Sequence, residues 1–376
     1  MEKLKLGREV LKHAQTQVDN CIDCKICFKV CPMMDKFGLS PKQIAREIVD
    51  EQAVDKLLPY SCMMCGLCEK VCPVDIDWGE LHQETREEIF SNYKKKLNEI
   101  GYNGVKFHQM SSFCGIFSST ELNRDSKSIF LPGCSLTAYS EDLVNQTYLY
   151  LRQYMPNLSL VFECCANPTK LVGDKNGFEK YFSHIADLIA NEQVDEIVVA
   201  CPNCYKVINA LSQDVKVSFI WEKIREFGLP TGLKGHYSDV AMSFALHDPC
   251  AIRYESGLQD DVRYVLKELG VKVNEFEFNR ENTKCCGSGG MTRVTSPEIS
   301  SNQSKTRADE SKSDVIVSYC QSCCESFLEV GKPTLHVLDF IFNTNVICKT
   351  GFSQSNKSLM GKWVSRRKAV KNKKGC

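Results

Sequence analysis

The sequence lacks the features that mark several common classes of protein. No run of about 18 apolar residues is present, so the sequence predicts no membrane-spanning helix. The opening residues, MEKLKLGREV, show no apolar core and no small-residue cleavage site, so we expect no secretory signal. The net charge is zero, which gives no indication of nucleic-acid binding. These absences favour a cytoplasmic protein that does not bind nucleic acid.

A dinucleotide-binding fingerprint is missing as well. No Gly-x-Gly-x-x-Gly follows a strand and opens a helix, so we expect no flavin in this chain. Cysteine, by contrast, is in excess, with 22 among 376 residues. A disulfide scaffold explains such an excess in short secreted chains, but this chain is long, and cytosolic thiols stay reduced. The cysteines therefore predict metal binding or redox chemistry.

Two short runs contain four cysteines each and end in proline. The first is Cys21-x2-Cys24-x2-Cys27-x3-Cys31-Pro32, and the second repeats this spacing from Cys62 to Pro73. This is the cysteine spacing of bacterial two-cluster ferredoxins, in which the fourth cysteine of each run serves the other cluster. Zinc also binds Cys-x2-Cys pairs, but a zinc site has no use for two such runs. We expect crossed ligand sets for two [4Fe–4S] clusters: Cys21, Cys24, Cys27 and Cys72 on one, and Cys62, Cys65, Cys68 and Cys31 on the other.

The segment between the two runs predicts a helix. Ser40 suits the N-cap, Pro41 the first helical position, and Gln43 completes a capping box. Ile44 and Ile48 then share one face. A helix between the motifs indicates a helical ferredoxin domain rather than a small ferredoxin built of turns.

A second cysteine pattern occurs twice after residue 127. Each copy has a lone cysteine after a short apolar strand, then a vicinal pair, then a Cys-x2-Cys. Equivalent cysteines are 116 to 121 residues apart, which indicates an internal duplication. Strands alternate with helical patterns, which predicts an α/β unit with a mostly parallel sheet and cysteines at the strand ends. The two sets are Cys134, Cys164, Cys165, Cys201 and Cys204, and Cys250, Cys285, Cys286, Cys320 and Cys323.

This pattern resembles the cysteine-rich CCG domain of heterodisulfide reductase. Placed after a double ferredoxin motif, it resembles the D-type polypeptide of that enzyme, or its B and C polypeptides fused. It is also similar to the iron–sulfur subunits of anaerobic glycerol-3-phosphate dehydrogenase, glycolate oxidase and lactate oxidation complexes. The resemblance covers about residues 15 to 340 and is specific for the superfamily rather than for one member.

The resemblance implies an α+β multidomain protein with an N-terminal helical ferredoxin domain and a duplicated α/β CCG domain. Each five-cysteine set would hold a noncubane [4Fe–4S] cluster, so one or two such clusters join the two cubanes. The second set, Cys250, Cys285, Cys286, Cys320 and Cys323, would be the catalytic one. The expected divisions are a ferredoxin domain at 1–105, a linker at 106–127, CCG repeats at 128–235 and 236–345, and a basic tail at 346–376.

The first repeat departs from the second after its cysteine pair. Gly287-Ser288-Gly289-Gly290 follows the second pair, and this loop is free to adopt positive φ. Ala166-Asn167-Pro168 follows the first pair, and the proline stiffens the turn. The sequence therefore leaves open whether the first set carries a cluster.

Two functions remain open. In the first, electrons pass between the ferredoxin clusters and the CCG clusters, where a disulfide substrate is reduced. In the second, the chain is a non-catalytic relay. A flavoprotein subunit oxidises a hydroxy acid or glycerol 3-phosphate, and this chain passes the electrons to a quinone or another redox carrier, or carries them in reverse. We expect at most peripheral contact with a membrane. A structural scaffold or thiol sensor is a third interpretation, which has no use for four clusters.

Several other residues favour ordinary structural roles. We expect plain thiols at Cys114, Cys324, Cys348 and Cys376. His247 and Asp248, just before Cys250, could hydrogen-bond a cluster or carry a proton, but a capped turn is the simpler interpretation. Lys206 and Arg253 could attract an anion, but solvated charge is the default. The last 20 residues carry eight basic and no acidic side chains; they favour a disordered tail over a segment on an acidic partner or membrane surface.

Overall fold

The structure is a computed structural model that describes residues 2–212, 214–348, 351–352 and 357–373. Its N-terminal part is mainly helical, and one antiparallel pair of short strands ties its start to its middle. The strands are β1 (Lys3–Lys5) and β2 (Ala53–Asp55). The helices are α1 (Arg8–Asn20), α2 (Ile26–Val30), α3 (Pro32–Phe37), α4 (Pro41–Glu51), α5 (Leu57–Tyr60), α6 (Leu67–Lys70), α7 (Trp78–Tyr93) and α8 (Tyr102–Ser112), with a 3-10 helix at Lys94–Ile100.

The capping box predicted between the cysteine runs is present. The Ser40 hydroxyl accepts a hydrogen bond from the Gln43 amide, and the Ser40 amide donates to the Gln43 side chain at 2.7 Å. Helix α4 therefore begins at Pro41, and Ile44, Ala45 and Ile48 form its buried face. This helix separates the two cysteine runs along the chain.

A four-stranded parallel sheet follows. Its strands are β3 (Ser128–Leu131), β4 (Leu158–Leu160), β5 (Glu196–Val199) and β6 (Lys216–Phe219), in the order β4-β3-β5-β6. The associated helices are α9 (Cys134–Tyr139), α10 (Glu141–Tyr154), α11 (Asn167–Leu171), α12 (Lys175–Glu192), α13 (Pro202–Leu211) and α14 (Ile220–Phe227).

A second parallel sheet has the same strand order relative to the chain. Its strands are β7 (Phe244–His247), β8 (Val273–Glu275), β9 (Val315–Ser318) and β10 (Thr334–His336), in the order β10-β9-β7-β8. Its helices are α15 (Ser256–Glu268), α16 (Thr292–Thr295), α17 (Pro297–Asp309), α18 (Gln321–Glu329) and α19 (Asp339–Phe342), with 3-10 helices at Cys250–Ile252, Arg280–Asn282, Gly289–Met291 and Thr344–Val346. The chain continues with the paired strands β11 (Ile347–Cys348) and β12 (Gly351–Phe352) and with helix α20 (Leu359–Lys373). The predicted parallel α/β architecture is therefore present in both halves.

Three apolar clusters hold these parts together. One runs through both sheets, and a second fills the helical N-terminal part. The third places Met63, from the second cysteine run, among buried residues of the second sheet and its flanking segments, such as Phe276, Ile316 and Phe327. The second cysteine run is therefore packed directly onto the second sheet.

The basic tail differs from the expectation of disorder. Residues 359–373 form helix α20, in which Arg366, Ala369 and Val370 are buried. The basic side chains find acidic partners, since Lys357 contacts Glu141 at 3.3 Å and Lys362 contacts Glu325 at 2.9 Å. Apolar burial and these ion pairs together order a stretch whose composition alone favours disorder. The C-terminal residues 374–376 lie outside the described residues.

The predicted linker also begins later than expected. Helix α8 continues to Ser112, past the boundary at residue 105. It packs against helices α11 and α16, so it is part of the folded structure. Residues 113–127 contain turns and an isolated bridge from Ser119 to Phe162.

Candidate metal centres

The two four-cysteine runs follow the same backbone path. In each run, a left-handed residue precedes the second cysteine and another follows it. These are Asp23 (φ 54°) and Lys25 (φ 60°), and Met64 (φ 52°) and Gly66 (φ 69°). The turn aims an amide at the first sulfur: Asp23 donates to Cys21 Sγ and Met64 to Cys62 Sγ, each at 3.4 Å. Such N–H groups stabilise thiolates and tune the potential of a bound cluster.

The fourth cysteine of each run lies with the first three of the other run. One cavity is lined by Cys21, Cys24, Cys27 and Cys72. A second cavity is lined by Cys31, Cys62, Cys65 and Cys68. We call these the outer and the inner set, because Cys24 of the first is exposed to solvent.

The thiols of each set are close enough to perturb one another. Burial raises the pKa of Cys27 to about 11, and the Cys21 and Cys72 thiolates add to this effect. Burial likewise raises the pKa of Cys31 far above its usual range, with further contributions from Cys62 and Cys65. Clustered thiolates in a buried site repel one another unless they bind a cation. Four soft ligands in such a site suit a metal–sulfur cluster.

The first five-cysteine set assembles at the carboxyl ends of the first sheet. Cys134 begins helix α9 after β3, and Cys201 caps helix α13 after β5. The five thiols of the set form a continuous series in which each one hydrogen-bonds the next. The order is Cys134, Cys164, Cys165, Cys204 and Cys201. Gly133 makes this possible, because a Cβ atom there would lie 2.8 Å from the Cys201 Cβ.

The second five-cysteine set has the same arrangement at the second sheet. Its sulfurs are in contact in the order Cys250, Cys285, Cys286, Cys323 and Cys320. The hydrogen bonds from Cys285 and Cys323 lower the pKa of Cys286 to about 5. The donor sets therefore fit soft metal centres in both halves.

The two five-cysteine sets lie on facing elements. Ser135, next to Cys134, has its Oγ 3.3 Å from the Oγ of Ser322, next to Cys323. Helix α13, which carries Cys204, packs against the 3-10 helix that starts at Cys250. The two five-cysteine sets therefore lie on either side of the junction between the unit of the first sheet and the unit of the second sheet.

Comparisons with known proteins identify these parts. A 4Fe-4S dicluster domain model matches residues 17–76, and a cysteine-rich domain model, CCG, matches residues 129–209 and 244–327. The chain is an iron–sulfur protein with a dicluster domain and CCG domains. The predicted resemblance to heterodisulfide reductase-like proteins is confirmed, because relatives of this chain carry those names.

Three similar proteins illustrate the resemblance to iron–sulfur proteins and heterodisulfide reductases. An uncharacterized iron–sulfur protein of Methanocaldococcus jannaschii is 24% identical over 84% of this chain and 58% of its own length. The D polypeptide of the dihydromethanophenazine:CoB–CoM heterodisulfide reductase of Methanosarcina mazei is 23% identical over 41% of this chain and 40% of its own. The B polypeptide of the fumarate reductase (CoM/CoB) of Methanothermobacter marburgensis is 24% identical over 56% of this chain and 43% of its own. The chain therefore spans less than two thirds of the length of each of these relatives.

The Ala166-Asn167-Pro168 departure does not separate the sulfurs of the first CCG domain. Ala166 itself takes the left-handed conformation (φ 58°), where the second CCG domain has Gly287 (φ 98°). Pro168 lies in the first turn of helix α11, a position that suits proline. A Cβ at Gly287 would meet Ser304 Oγ at 2.4 Å, so glycine is required only in the second domain.

The surroundings of the first set come largely from outside its CCG domain. Helix α8 supplies His108, which hydrogen-bonds Cys134, and Gln109, whose Oε1 accepts from Cys164 Sγ at 3.7 Å. The hydrogen bonds of Cys134 with Cys164 and then His108 lower its pKa, and the charge of the buried Arg366 from helix α20 lowers it further. Burial raises the pKa of the adjacent Glu163 to about 7. The sequence does not predict the roles of His108, Gln109 and Arg366, because its pattern indicates a linker at helix α8 and a disordered tail at helix α20.

Near Cys250 and Cys320, the second set is held by residues of its own CCG domain. Asp248 accepts hydrogen bonds from Arg263, from the Tyr319 hydroxyl at 2.6 Å and from the Arg280 amide at 2.7 Å. Burial favours a raised pKa, but these donors lower the pKa of Asp248 overall. Asp248 thus anchors the segments next to Cys250 and Cys320. His247 is fully buried, and one of its ring nitrogens lies within 4.8 Å of the sulfurs of Cys286 and Cys323.

The inner set of the dicluster domain adjoins the second CCG domain. Cys285 lines the same cavity as the inner cysteines. Burial, followed by the Cys250 thiolate, raises the pKa of Cys65. Gly289 and Gly290 permit this approach, because a Cβ on either would lie 2.2 Å from a backbone oxygen of Met63 or Cys62.

Two buried arginines hold this interface. Arg253 donates to the carbonyl oxygens of Cys65 and Thr283, each at 2.8 Å. Arg86 donates to the carbonyl oxygens of Cys62 at 2.6 Å and of Gly290 at 2.9 Å. The expectation that Arg253 is solvated is wrong, since it is 3% exposed. Burial of its guanidinium is possible because carbonyl oxygens replace the lost water.

The remaining cysteines have separate positions. Cys324 is buried and donates to the Leu335 carbonyl at 3.5 Å, away from the contact series of its neighbour Cys323. Cys114 is exposed. The side chain of Cys348 and all of Cys376 lie outside the described residues. Lys206 is exposed beside Cys250, as expected. Within the described part of the chain, every helix is too short or too polar to cross a bilayer.

Proposed function

We propose that this chain is an electron-transfer component of an oxidoreductase, with two cubane clusters in the dicluster domain and noncubane clusters in the CCG domains. Cys21, Cys24, Cys27 and Cys72 hold the outer cubane, and Cys31, Cys62, Cys65 and Cys68 hold the inner one. The two five-cysteine sets hold the other clusters. When bound, the clusters supply one-electron transfer, and the chain fixes their order, burial and hydrogen bonding.

The observation that carries this proposal is the approach of the inner set to the second CCG domain. Cys65 lies beside Cys250, and Cys285 shares the cavity of the inner cysteines. Electrons entering at the exposed outer set therefore reach the second CCG domain before the first. Arg86 and Arg253 hold this spacing by binding carbonyl oxygens on both sides of the interface.

A disulfide is the substrate that the facing CCG sets suit best. Its reduction consumes two electrons and two protons, breaks the S–S bond and yields two thiols. The Ser135–Ser322 contact marks the junction where such a substrate would meet both sets. We therefore keep the second set, Cys250, Cys285, Cys286, Cys320 and Cys323, as the catalytic one.

A relay function is the alternative. The likeness to a polypeptide of a fumarate reductase favours it, as does the outer face of helix α20, where Arg367, Lys368 and Lys371 are exposed. In this case a flavoprotein partner carries out the substrate chemistry, and the chain passes electrons onward. The chain would be cytoplasmic, and the exposed basic face would bind an acidic partner or a membrane surface.

The ligand assignment is tested by a pair of neighbouring thiols. We expect Cys323→Ser to lower the iron and acid-labile sulfide content and to remove one CCG-type signal from the electron paramagnetic resonance (EPR) spectrum. Cys324→Ser is the matched control, because Cys324 is equally buried but bonds the Leu335 carbonyl. Equal iron content in both variants would contradict the assignment.

The two functions are separated by turnover. If the CCG sets reduce a disulfide, Cys285→Ser and Cys164→Ser each abolish disulfide reduction by the anaerobically purified protein. If disulfide turnover survives in both variants, the relay function replaces it. Co-purification of a flavoprotein from the native host would then be the expected result.

A further inference from the structure

His247 is the last residue of strand β7 and points into the second CCG domain. It is 0% exposed, and its ring lies edge-on to Phe327 with the centroids 5.0 Å apart. Phe276 contacts it from another side with the centroids 6.1 Å apart. The ring is therefore fixed by packing rather than by solvent.

Arg307 decides which ring nitrogen carries the proton. Its Nε–H donates to His247 Nδ1 at 3.5 Å. A guanidinium has only donors, so Nδ1 must present its lone pair, and a neutral imidazole then carries its proton on Nε2. Arg307 is itself fully buried and held by Glu310 at 2.5 Å and by the Phe278 carbonyl at 2.6 Å.

The His247 ring has one donor left, Nε2–H, and lies beside two sulfurs of the second set. His247 Nε2 is buried and has no hydrogen-bond partner among the described residues. A ring nitrogen of His247, Cys286 Sγ and Cys323 Sγ all lie within 4.8 Å of one another. A buried N–H group without a partner is costly, so its position beside two cluster ligands needs an explanation.

We propose that His247 is a positioning residue that donates its Nε2–H to a sulfur of the centre in the second CCG domain. The inference rests on the proposed function, because it requires that the five sulfurs hold a cluster. A hydrogen bond to a cluster sulfur stabilises the more negatively charged, reduced state and so raises the reduction potential.

The first CCG domain offers an internal comparison. The residue that stands three before Cys134, as His247 stands three before Cys250, is Leu131. Leu131 is buried and has no side-chain donor. At this position, only the second CCG domain has a side-chain donor, whereas the first set has its histidine neighbour, His108, on helix α8.

The first test is a redox titration followed by EPR on anaerobically purified protein. In His247→Leu, we expect unchanged iron content, while the reduction equilibrium of one CCG signal becomes roughly tenfold less favourable. For a one-electron couple this corresponds to about 59 mV. His247→Gln, which keeps an N–H donor, should recover most of the shift, and Leu131→Met should leave that signal unchanged. An unchanged potential in fully loaded His247→Leu would overturn the proposal.

A second test uses the unmodified chain, so it does not depend on the folding of a variant. Protein labelled with 15N-histidine should show a weak hyperfine coupling to each CCG signal, from His108 at the first centre and from His247 at the second. A strong coupling at the second centre would mean that His247 is an iron ligand, and no coupling there would mean that the hydrogen bond is absent. Either result overturns the inference. Failure of the proposed function is a separate outcome, since it appears as missing iron and sulfide in the wild-type protein.

Discussion

Gly290 is the position where a single methyl group should separate the dicluster domain from the second CCG domain. Its φ is 60°, and an added Cβ would lie 2.2 Å from the Cys62 carbonyl oxygen and 3.0 Å from the Met63 carbonyl carbon. The nearest atoms belong to the backbone and cannot rotate away. Gly290→Ala must therefore shift the loop against the inner cysteine run.

The expected cost combines two effects. A left-handed backbone costs a residue with a Cβ about 1 to 2 kcal/mol. Overpacking of a well-packed site costs about 1 to 3 kcal/mol. Gly290→Ala should thus destabilise the protein by about 2 to 5 kcal/mol, and more if the hydrogen bond from Arg86 to the Gly290 carbonyl is lost.

The assay combines anaerobic chemical denaturation with rapid-mixing reduction. We expect a lower denaturation midpoint and slower electron transfer from the inner cluster to the second CCG centre. Gly104→Ala is the matched control, because no atom lies within 4 Å of its Cβ position and the residue lies in helix α8. That substitution should be neutral or stabilise by up to about 1 kcal/mol. If both variants behave alike, the close approach of the two domains is wrong.

Three further predictions concern single side chains. Arg366→Met should lower the free energy of unfolding by about 1 to 3 kcal/mol, because it leaves the Ser112 hydroxyl without its buried donor. The control Arg367→Met changes an exposed residue and should shift the denaturation midpoint little. Equal effects of the two substitutions would contradict the docking of helix α20. Burial raises the pKa of Asp339 to about 6, above its ordinary value of 3.8. Between about pH 4 and 6, the native state therefore binds more protons than the unfolded state, so the free energy of unfolding falls as pH rises through that window. Asp339→Asn should remove about 3 kcal/mol of this pH dependence. The same dependence of stability on pH in the variant and the wild type would contradict the raised pKa. Arg253→Met should lower the free energy of unfolding by about 2 to 6 kcal/mol, because the Thr283 and Cys65 carbonyls lose their donor at about 1 to 3 kcal/mol each. The substitution should also slow reduction of the second CCG centre, and unchanged reduction kinetics would refute this role.

The features that can be predicted from the sequence depend on spacing along the chain. The cysteine runs identify the dicluster domain because cluster ligands need fixed intervals. Ser40 and Gln43 predict the start of helix α4 because a capping box is local. The short apolar strands before Cys134 and Cys250 likewise predict parallel sheets with sulfurs at their ends.

The features that the sequence does not predict depend on contacts between distant segments. Arg253 and Arg86 look like ordinary surface charges in the sequence, and carbonyl oxygens from two domains allow their burial. Helix α20 has few apolar residues, and its order depends on Glu141 and Glu325, far away along the chain. His108 lies in helix α8, which contains none of the motif cysteines, so no local pattern connects it with Cys134.

The central claim is that both five-cysteine sets, together with the two ferredoxin sets, hold iron–sulfur clusters. The most direct measurement is the content of iron and acid-labile sulfide per chain in protein purified without oxygen. Four [4Fe–4S] clusters predict about 16 of each. About 12 of each would leave one CCG domain unloaded and favour the relay function. About 8 of each would confine the clusters to the dicluster domain and contradict the assignment of both CCG domains.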